Sequence, residues 1–127
     1  MSKYTVLSID DDESARTLFE MMLKRSGFNV VQAVDADDAL EKLENLVPDL
    51  IMTDIQLPGM NGLELTSLIR ERPEFNNIPI IVLSAFQSAT ILEDVRKVGG
   101  DKFIKKPLPL TGLNEKLSTI IENKREE

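Results

Sequence analysis

The sequence predicts an α/β fold in which a doubly wound, five-stranded parallel sheet carries five helices. Two observations predict this class. Runs rich in Val and Ile recur along the chain without period-two alternation, which is typical of strands buried on both faces. Between these runs, apolar residues recur at the spacing of amphipathic helices. Five such βα units favour a parallel sheet with helices on both faces and right-handed crossovers.

The predicted elements alternate regularly along the chain. The strand-like runs are, in order, Thr5–Ile9, Asn29–Ala33, Leu50–Thr53, Ile78–Leu83 and Lys102–Ile104. The helices are predicted from apolar stripes at Leu18, Phe19 and Met22, at Ala36, Ala39, Leu40 and Leu43, at Leu65, Leu68 and Ile69, at Ala89, Leu92 and Val95, and at Leu113, Leu117, Ile120 and Ile121. Asp35 with Asp38 is typical of a helix N-cap, and Gly27 is typical of a residue that ends a helix.

Length and charge limit the class of protein. The 127 residues suit one domain over 1–127, with a core from about 4 to 121 and a charged tail, 122–127, that frays. The 22 Asp and Glu residues outnumber the 15 Lys and Arg residues, which argues against direct nucleic-acid binding. No apolar run approaches the roughly 20 residues of a membrane span, and a signal peptide is not apparent. A cytoplasmic protein without membrane contact is expected.

Two residue types are absent from the chain, and their absence excludes several kinds of site. Without Cys there is no disulfide, thiol nucleophile or thiolate metal site. Without His there is no Ser-His-Asp triad and no His-bound zinc. A phosphohistidine intermediate, if one takes part, must therefore be carried by a partner.

Acidic and basic side chains follow three of the predicted strands. Asp10 and Asp11 follow the first strand, Asp54 ends the third, and Lys106 follows the fifth. Because ligands bind outside the carboxyl ends of the strands in an open parallel sheet, these side chains are expected to meet at one edge. Clustered carboxylates beside an ammonium suit a hard divalent cation and a phosphoryl group.

Each of these residues taken alone has a simpler interpretation. An Asp run after a strand is more often a solvated turn that caps the next helix, and Asp12 is assigned to that role. Asp54 could be a nucleophile toward phosphorus or a turn residue. Ser84, which ends the fourth strand, could donate to a phosphoryl oxygen or form a turn. Lys106 suits a phosphate as a point charge, whereas Lys105 is the better candidate for a solvated lysine.

Four segments in this order resemble the receiver domain of bacterial two-component response regulators, the family of the chemotaxis regulator that binds the flagellar motor. The segments are VLSIDDDE at Val6–Glu13, PDLIMTDIQLPGMNGLEL at Pro48–Leu65, PIIVLSA at Pro79–Ala85 and FIKKP at Phe103–Pro107. The resemblance extends from about residue 4 to 121. It implies a flavodoxin-like sheet with the strand order 2-1-3-4-5.

The resemblance implies a role for each residue of the acidic group. Asp54 matches the phosphoacceptor. Asp11 matches the residue that ligates Mg²⁺ directly, and Asp10 matches the acid that holds a metal-bound water. Gln56 matches the position whose backbone carbonyl ligates the metal. The implied metal site therefore consists of Asp10, Asp11, Asp54 and Gln56.

The resemblance also implies residues that stabilise the phosphoryl group and switch the protein. Ser84 matches the hydroxyl that turns toward the phosphoryl group, and Ala85 follows it in the same motif. Lys106 matches the lysine that pairs with a phosphoryl oxygen. Phe103 matches the aromatic residue that moves inward with the hydroxyl. Pro107 matches a proline that follows a cis peptide bond.

A stand-alone receiver is the function that this resemblance implies. A histidine kinase or histidine phosphotransfer protein would donate a phosphoryl group to Asp54 in a Mg²⁺-dependent reaction. The surface formed by helix four, strand five and helix five would then switch, for binding of a downstream effector protein or for phosphorelay. The chain is expected to catalyse only its own phosphorylation and dephosphorylation, as a monomer or a phosphorylation-dependent dimer.

The resemblance also places two side chains on the path of the water that hydrolyses the phosphorylated acceptor. These are Gln56, two residues beyond Asp54, and Phe86, two residues beyond Ser84. Phe86 is apolar and cannot orient a water, so it could shield the phosphoryl group. The alternative is that Phe86 packs at the start of helix four.

Three other functions are less compatible with the residues. A Mg²⁺-dependent phosphatase with an aspartyl nucleophile needs a second acid two residues after it, where this chain has Gln56. A flavin-binding electron carrier shares the topology but needs a phosphate-binding Ser/Thr/Gly loop after strand one, where Asp10–Asp12 would repel a phosphate. A degenerate receiver that serves only for docking should have lost an acid or the lysine, and this chain retains them all.

Overall fold

The computed structural model describes residues 3–127. They contain a parallel sheet with the strand order β2-β1-β3-β4-β5. The strands are β1 (Thr5–Ile9), β2 (Asn29–Ala33), β3 (Leu50–Asp54), β4 (Ile80–Ser84) and β5 (Lys102–Lys105). The helices are α1 (Glu13–Arg25), α2 (Ala36–Lys42), α3 (Gly62–Arg70), α4 (Ile91–Lys97) and α5 (Leu113–Arg125), with a 3₁₀ turn at Pro73–Phe75. The predicted fold class and strand order are confirmed.

The central strands send alternate side chains into two core layers. In β1, Val6 packs into the layer with α1 and α5, whereas Leu7 packs into the layer with α2 and α3. In β3, Leu50 and Met52 face the first layer and Ile51 faces the second. Because successive strand residues point to opposite faces, a strand buried on both sides is apolar at every position. This explains the missing alternation in the sequence.

Short polar side chains begin the helices that leave the carboxyl edge of the sheet. Asp12 caps α1 by accepting from the backbone N–H of Ala15 at 2.9 Å, and Asp35 caps α2 by accepting from that of Asp38 at 2.8 Å. Gly27 follows the end of α1 with a φ of 95°, a conformation that favours glycine. The predicted capping roles of Asp12 and Asp35 and the helix end at Gly27 are confirmed.

The apolar stripe from which α4 is predicted identifies a helix that is present, but only one residue of that stripe is buried. Ala89 lies before the helix and is exposed, and Leu92 is 44% exposed. The buried residues of α4 are Ile91 and Val95, which lie four positions apart on one face. The predicted stripe used a spacing of three throughout, which drifts around a helix of 3.6 residues per turn. Only its last residue, Val95, reaches the core.

The charged segment 122–127 is more ordered than predicted, because α5 continues to Arg125. Lys124 pairs with Asp101, just before β5, at 2.9 Å. Arg125 pairs with Asp49, just before β3. Charges on the last turns of α5 thus find partners at the amino ends of two strands. Among residues 3–127, no helix has both the length and the apolar character of a membrane span.

Candidate functional site

Three carboxylates meet at the carboxyl edge of the sheet. Asp10, Asp11 and Asp54 each offer one oxygen, and these oxygens lie within 4.8 Å of one another. Asp10 directly follows β1, and Asp54 ends β3. The chain order reverses between these two neighbouring strands, which is where open α/β sheets bind ligands. The structure therefore brings the predicted acids together at the switch point of the topology.

Lys106 joins the two acids that end the neighbouring strands. Its Nζ donates to Oδ2 of Asp10 at 2.9 Å and to Oδ2 of Asp54 at 3.0 Å. The same Nζ lies 5.4 Å from the ring centroid of Phe19, within the range of a cation–π contact. The neighbouring Lys105 is exposed, as expected of the solvated lysine of the pair.

The charge of Lys106 is stabilised by its two partners. Burial alone lowers the pKa of this ammonium, because a charged group loses hydration. The hydrogen bonds that Lys106 donates to Asp10 and Asp54, with the charges of both carboxylates, act in the opposite direction and prevail. The pKa of Lys106 is therefore raised above its ordinary value, and the group remains a cation at neutral pH.

Backbone N–H groups orient the remaining oxygens of the same two acids. Oδ1 of Asp10 accepts from the N–H of Asp12 at 3.0 Å, and Oδ1 of Asp54 accepts from the N–H of Gln56 at 3.2 Å. Asp10 is only 1% exposed, Asp54 is half-buried and Asp11 is exposed. The carboxylates outnumber the ammonium of Lys106 three to one. This excess of negative charge suits a divalent cation.

Gly62, at the start of α3, was not among the predicted site residues. A Cβ at this position would lie 2.3 Å from the backbone oxygen of Asp54. Its N–H donates to the backbone oxygen of Ile55 at 2.8 Å, and Asn61 and Glu64 form a capping box around it. The glycine thus allows α3 to begin against the strand end that carries Asp54. The Asn61-Gly62 pair was the available sequence signal.

The structure places Ser84 at the end of β4, where it is 3% exposed. Its Oγ accepts from the backbone N–H of Phe86 at 3.1 Å, so it forms the turn that the simpler interpretation predicted. Ala85 is exposed. The ring of Phe86 is not packed against α4, because this side chain is 72% exposed. The alternative in which Phe86 packs there is therefore wrong.

Phe103 and Pro107 lie on either side of the end of β5. Phe103 is half-buried and packs against a small cluster formed by Val82, Ile91 and Val95. The backbone N–H of Lys106 donates to the backbone oxygen of Ser84 at 2.9 Å, which continues the pairing of β4 with β5. The peptide bond between Lys106 and Pro107 is cis, as the resemblance implied.

Comparison with known proteins assigns the family. The profile of the response regulator receiver domain matches residues 6–118. The chain belongs to the response regulator receiver family. Accepting a phosphoryl group is the general function of this family. The matched range contains all four segments on which the resemblance was based.

The receiver matches proteins of very different length. It is 30% identical over 117 residues to the polar-differentiation response regulator DivK of Brucella anthropi, covering 92% of this chain and 95% of that protein. It is 34% identical over 120 residues to a cyclic di-GMP phosphodiesterase of Thermotoga maritima, covering 94% of this chain but only 32% of that relative. The chain thus spans about a third of that longer protein.

Among solved structures, the chemotaxis protein CheY4 of Vibrio cholerae superposes with a TM-score of 0.87 at 27% identity. The match covers 94% of this receiver and 99% of that chain. The similarity includes the whole α/β architecture described above.

Proposed function

We propose that this receiver takes a phosphoryl group from a partner phosphohistidine onto Asp54, in a reaction that requires Mg²⁺. The observation that carries the proposal is the position of Lys106, whose ammonium bridges Asp10 and Asp54 beside the exposed carboxylate of Asp11. One ammonium and three carboxylates at the ends of two buried strands provide the positioning and charge that phosphoryl transfer needs.

The donor set fits Mg²⁺, which prefers carboxylate and carbonyl oxygens and retains several waters. Asp11 and Asp54 would hold it directly, because they are the more accessible acids. Asp10, buried and bonded to Lys106, would act through a metal-bound water, and the backbone carbonyl of Gln56 would complete the set. When bound, Mg²⁺ supplies positive charge that offsets the repulsion between phosphoryl oxygens and these acids.

In the proposed transfer, a carboxylate oxygen of Asp54 forms the new bond to phosphorus while the bond from phosphorus to the partner's imidazole nitrogen breaks. The electron pair of that bond returns to the imidazole. Lys106 would pair with an oxygen of the transferred phosphoryl group, because its ammonium already contacts Asp54 at 3.0 Å. Ser84 would turn its hydroxyl from the N–H of Phe86 toward a phosphoryl oxygen. Gln56 is not an acid, so the chain is proposed to act only on itself and not as a phosphatase.

Phosphorylation would change the surface formed by α4, β5 and α5, where a partner binds. A phosphoryl group brings a charge of about −1.5 to −2 to the carboxyl edge. Helix α4 lacks a side-chain cap at Thr90 and buries only Ile91 and Val95, so it is a weakly anchored element. Phe103 packs against the cluster that these two residues form with Val82, and it also lines an open groove of about 890 Å³ between β5 and α5. A change at Ser84 would therefore alter the shape of this groove.

The proposed partners are a histidine kinase or histidine phosphotransfer protein upstream and an effector protein downstream. The phosphorylated form would bind that effector or pass the group on, as a monomer or a phosphorylation-dependent dimer in the cytoplasm. The net charge of −7 makes direct nucleic-acid binding an unfavourable alternative.

Intact mass spectrometry after treatment with acetyl phosphate and Mg²⁺ tests the acceptor. Wild type should gain one base-labile phosphoryl group, and Asp54→Asn should gain none. Asp37→Asn, which changes an exposed acid of α2, is the matched control and should label as wild type does. Labelling of Asp54→Asn at the wild-type level would contradict the acceptor assignment.

The same samples separate the alternatives. A wild-type chain that is folded but never labelled would favour a docking module. Release of phosphate in many turnovers without a stable adduct would favour a phosphatase. Labelling should also move backbone amide shifts in α4 and β5, and unchanged shifts there would contradict the proposed switch.

A further inference from the structure

Arg16, in the first turns of α1, reaches back over the start of its own helix. Its Nη1 donates to the backbone oxygen of Asp10 at 3.0 Å. Its backbone N–H donates to the backbone oxygen of Asp12 at 2.9 Å, within the helix. Its own backbone oxygen accepts from Nε2 of Gln32, on the edge strand β2, at 2.6 Å. No step of the proposed transfer uses Arg16 or Gln32.

The carbonyl of Asp10 needs a partner of this kind. The N–H of Asp10 still follows the sheet, donating to the backbone oxygen of Ala33 at 3.2 Å, but the chain then turns away into α1. Asp10 is 1% exposed, so water is a poor substitute at this position. A buried backbone oxygen without a hydrogen bond is unfavourable. The guanidinium of Arg16 supplies the bond that the next strand residue would have supplied.

This contact bears directly on the acidic group. The carbonyl of Asp10 belongs to the peptide unit that leads into Asp11, so its direction influences where the carboxylate of Asp11 points. The carboxylate of Asp10 is held at Oδ1 by Asp12 and at Oδ2 by Lys106. With Arg16 on the carbonyl and Ala33 on the N–H, each polar atom of Asp10 has a partner. Releasing the carbonyl frees the turn to rotate.

We propose that Arg16 is a positioning residue that holds the Asp10–Asp11 turn in the form that binds a divalent cation, with Gln32 supporting it from β2. The inference rests on the proposed metal site. The direction in which loss of Arg16 changes the cation affinity is informative. A positive charge beside the acids opposes cation binding, and a cation at a helix N-terminus is itself unfavourable. Positioning predicts that loss of Arg16 weakens cation binding, whereas charge alone predicts that it strengthens binding.

The test is a titration with Mg²⁺ alone, in which NMR shifts of the backbone amides of residues 10–12 report binding. Arg16→Met, which keeps a long side chain but removes both charge and donors, should weaken Mg²⁺ binding about tenfold, the usual cost of losing a group that orients a metal ligand. Arg16→Lys keeps a donor and the charge and should restore most of the affinity. Arg25→Met makes the same charge change in the last turn of α1 and should bind as wild type does.

A second measurement uses the metal-free protein. Exchange of the Asp12 amide hydrogen, which is bonded to Oδ1 of Asp10, should be faster in Arg16→Met than in Arg25→Met at equal global stability. Where Arg16→Met does not fold, Gln32→Met removes only the supporting amide and should weaken Mg²⁺ binding in the same direction by a smaller factor.

The outcomes separate this inference from the proposed function. Unchanged or tighter Mg²⁺ binding by Arg16→Met, with a wild type that binds, would overturn the positioning role alone. A wild type that does not bind Mg²⁺ would overturn the metal site and the positioning role together. Labelling of Asp54→Asn would overturn the acceptor assignment while a tenfold loss in Arg16→Met still supported the positioning role.

Discussion

The two ends of the sheet carry ion clusters that differ in their balance of acidic and basic side chains. At the carboxyl end, Asp10, Asp11 and Asp54 share the single ammonium of Lys106. At the amino end, Arg70 of α3 pairs with Asp101 at 2.9 Å. The first cluster has more acids than cations among its side chains, whereas the second has no excess of acids and is supplemented by neutral acceptors.

The guanidinium of Arg70 is the centre of the amino-end cluster. It donates to the backbone oxygens of Phe75 at 2.7 Å, Ile78 at 2.9 Å and Gly99 at 2.9 Å, in addition to Asp101. Burial lowers the pKa of Arg70, and Asp101 raises it again in part, yet an arginine stays charged at neutral pH. Four of the five N–H donors of this guanidinium are therefore used within the fold.

Asp101 extends this cluster to two further elements. Its Oδ2 also accepts from the backbone N–H of Ile80, the first residue of β4, at 2.9 Å, and its Oδ1 pairs with Lys124 of α5 at 2.9 Å. Excess negative charge thus lies at the end of the sheet for which a ligand site is proposed, whereas oppositely charged side chains are paired at the end where α3, α5 and two strands meet. The predictions below test this distinction.

The largest effect is expected at the amino end. Arg70→Met leaves Asp101 with one fewer cation and removes a donor from three backbone oxygens, of which only that of Phe75 keeps another, the N–H of Ile78. The substitution should therefore cost about 3–5 kcal/mol in the free energy of unfolding. Urea unfolding followed by circular dichroism measures this. Arg96→Met, at an exposed position of α4, is the matched control. A loss at Arg70 no larger than at Arg96 would show that the cluster does not fasten the fold.

The opposite sign is expected at the carboxyl end. Asp11→Ala removes one of three crowded carboxylates, so the metal-free protein should gain about 1 kcal/mol, or roughly 3–6 °C in Tm. The same variant should lose most of the stabilisation that wild type gains from Mg²⁺. Thermal melting with and without Mg²⁺ measures both. A variant that melts no higher without metal and responds to Mg²⁺ as wild type does would place the cation elsewhere.

Another acid at the same edge of the sheet, Asp38, is paired as Asp101 is and is not part of the crowded carboxylates. Asp38 accepts from the backbone N–H of Val34 at 2.9 Å and pairs with Lys42. The bond from Val34 is the main reason that the pKa of Asp38 lies below its ordinary value of 3.8, with burial opposing it and Lys42 adding to it. Asp38→Asn should therefore cost about 0.5–1 kcal/mol at pH 7.

The pH dependence of this cost follows from the sign of the shift. Because the pKa is lower in the folded state than in the unfolded state, the contribution is complete above 3.8 and is lost as pH falls through the folded-state value. The stability difference between wild type and Asp38→Asn should thus be constant from pH 7 to about 5 and shrink below about 4. Urea unfolding across this range measures it, and a difference that grows with acidification would contradict the assignment.

The smallest effect is expected for Phe86→Ala, on the lifetime of the phosphorylated acceptor. Phe86 is 72% exposed, so its ring makes little contact with the rest of the protein and only a small shielding effect is expected. Phe86→Ala should speed loss of the phosphoryl group by about threefold, roughly 0.6 kcal/mol in the barrier, without slowing uptake. The decay is followed by intact mass after removal of the donor, with Leu92→Ala as an exposed apolar control. Decay at the wild-type rate, or slower, would show that Phe86 does not shield the site.

Local patterns in the sequence predicted the carboxyl end well. The acids that follow β1 and β3 and the lysine after β5 were located because a buried apolar run identifies a strand, and parallel strands end at a common edge. Asp12 and Asp35 were predictable as caps because a cap bonds within its own turn. Each of these patterns spans only a few neighbouring residues, and each has the same meaning in any fold whose strands are parallel.

The amino-end cluster was not predictable in this way. Arg70 and Asp101 are separated by 31 positions, and neither belongs to a local pattern. Gly99 gave no clear signal either, although a Cβ there would lie 2.7 Å from Cγ of Arg70. Such partners become neighbours only when α3, the loop before β4 and the start of β5 are packed together.

The sequence by itself determined which segments are strands, which edge carries the acids and which family the chain resembles, because burial on both faces and helix capping are written in neighbouring residues. Tertiary structure alone decided that Ile91 rather than Ala89 faces the core, that α5 stays helical to Arg125, and that Arg16 holds the carbonyl of Asp10. Each of these three features depends on a group that is distant in sequence and that forms an ion pair, a hydrogen bond or an apolar contact with the residue concerned. That choice is made by packing, where one well-placed partner outweighs the weak preference of a single residue.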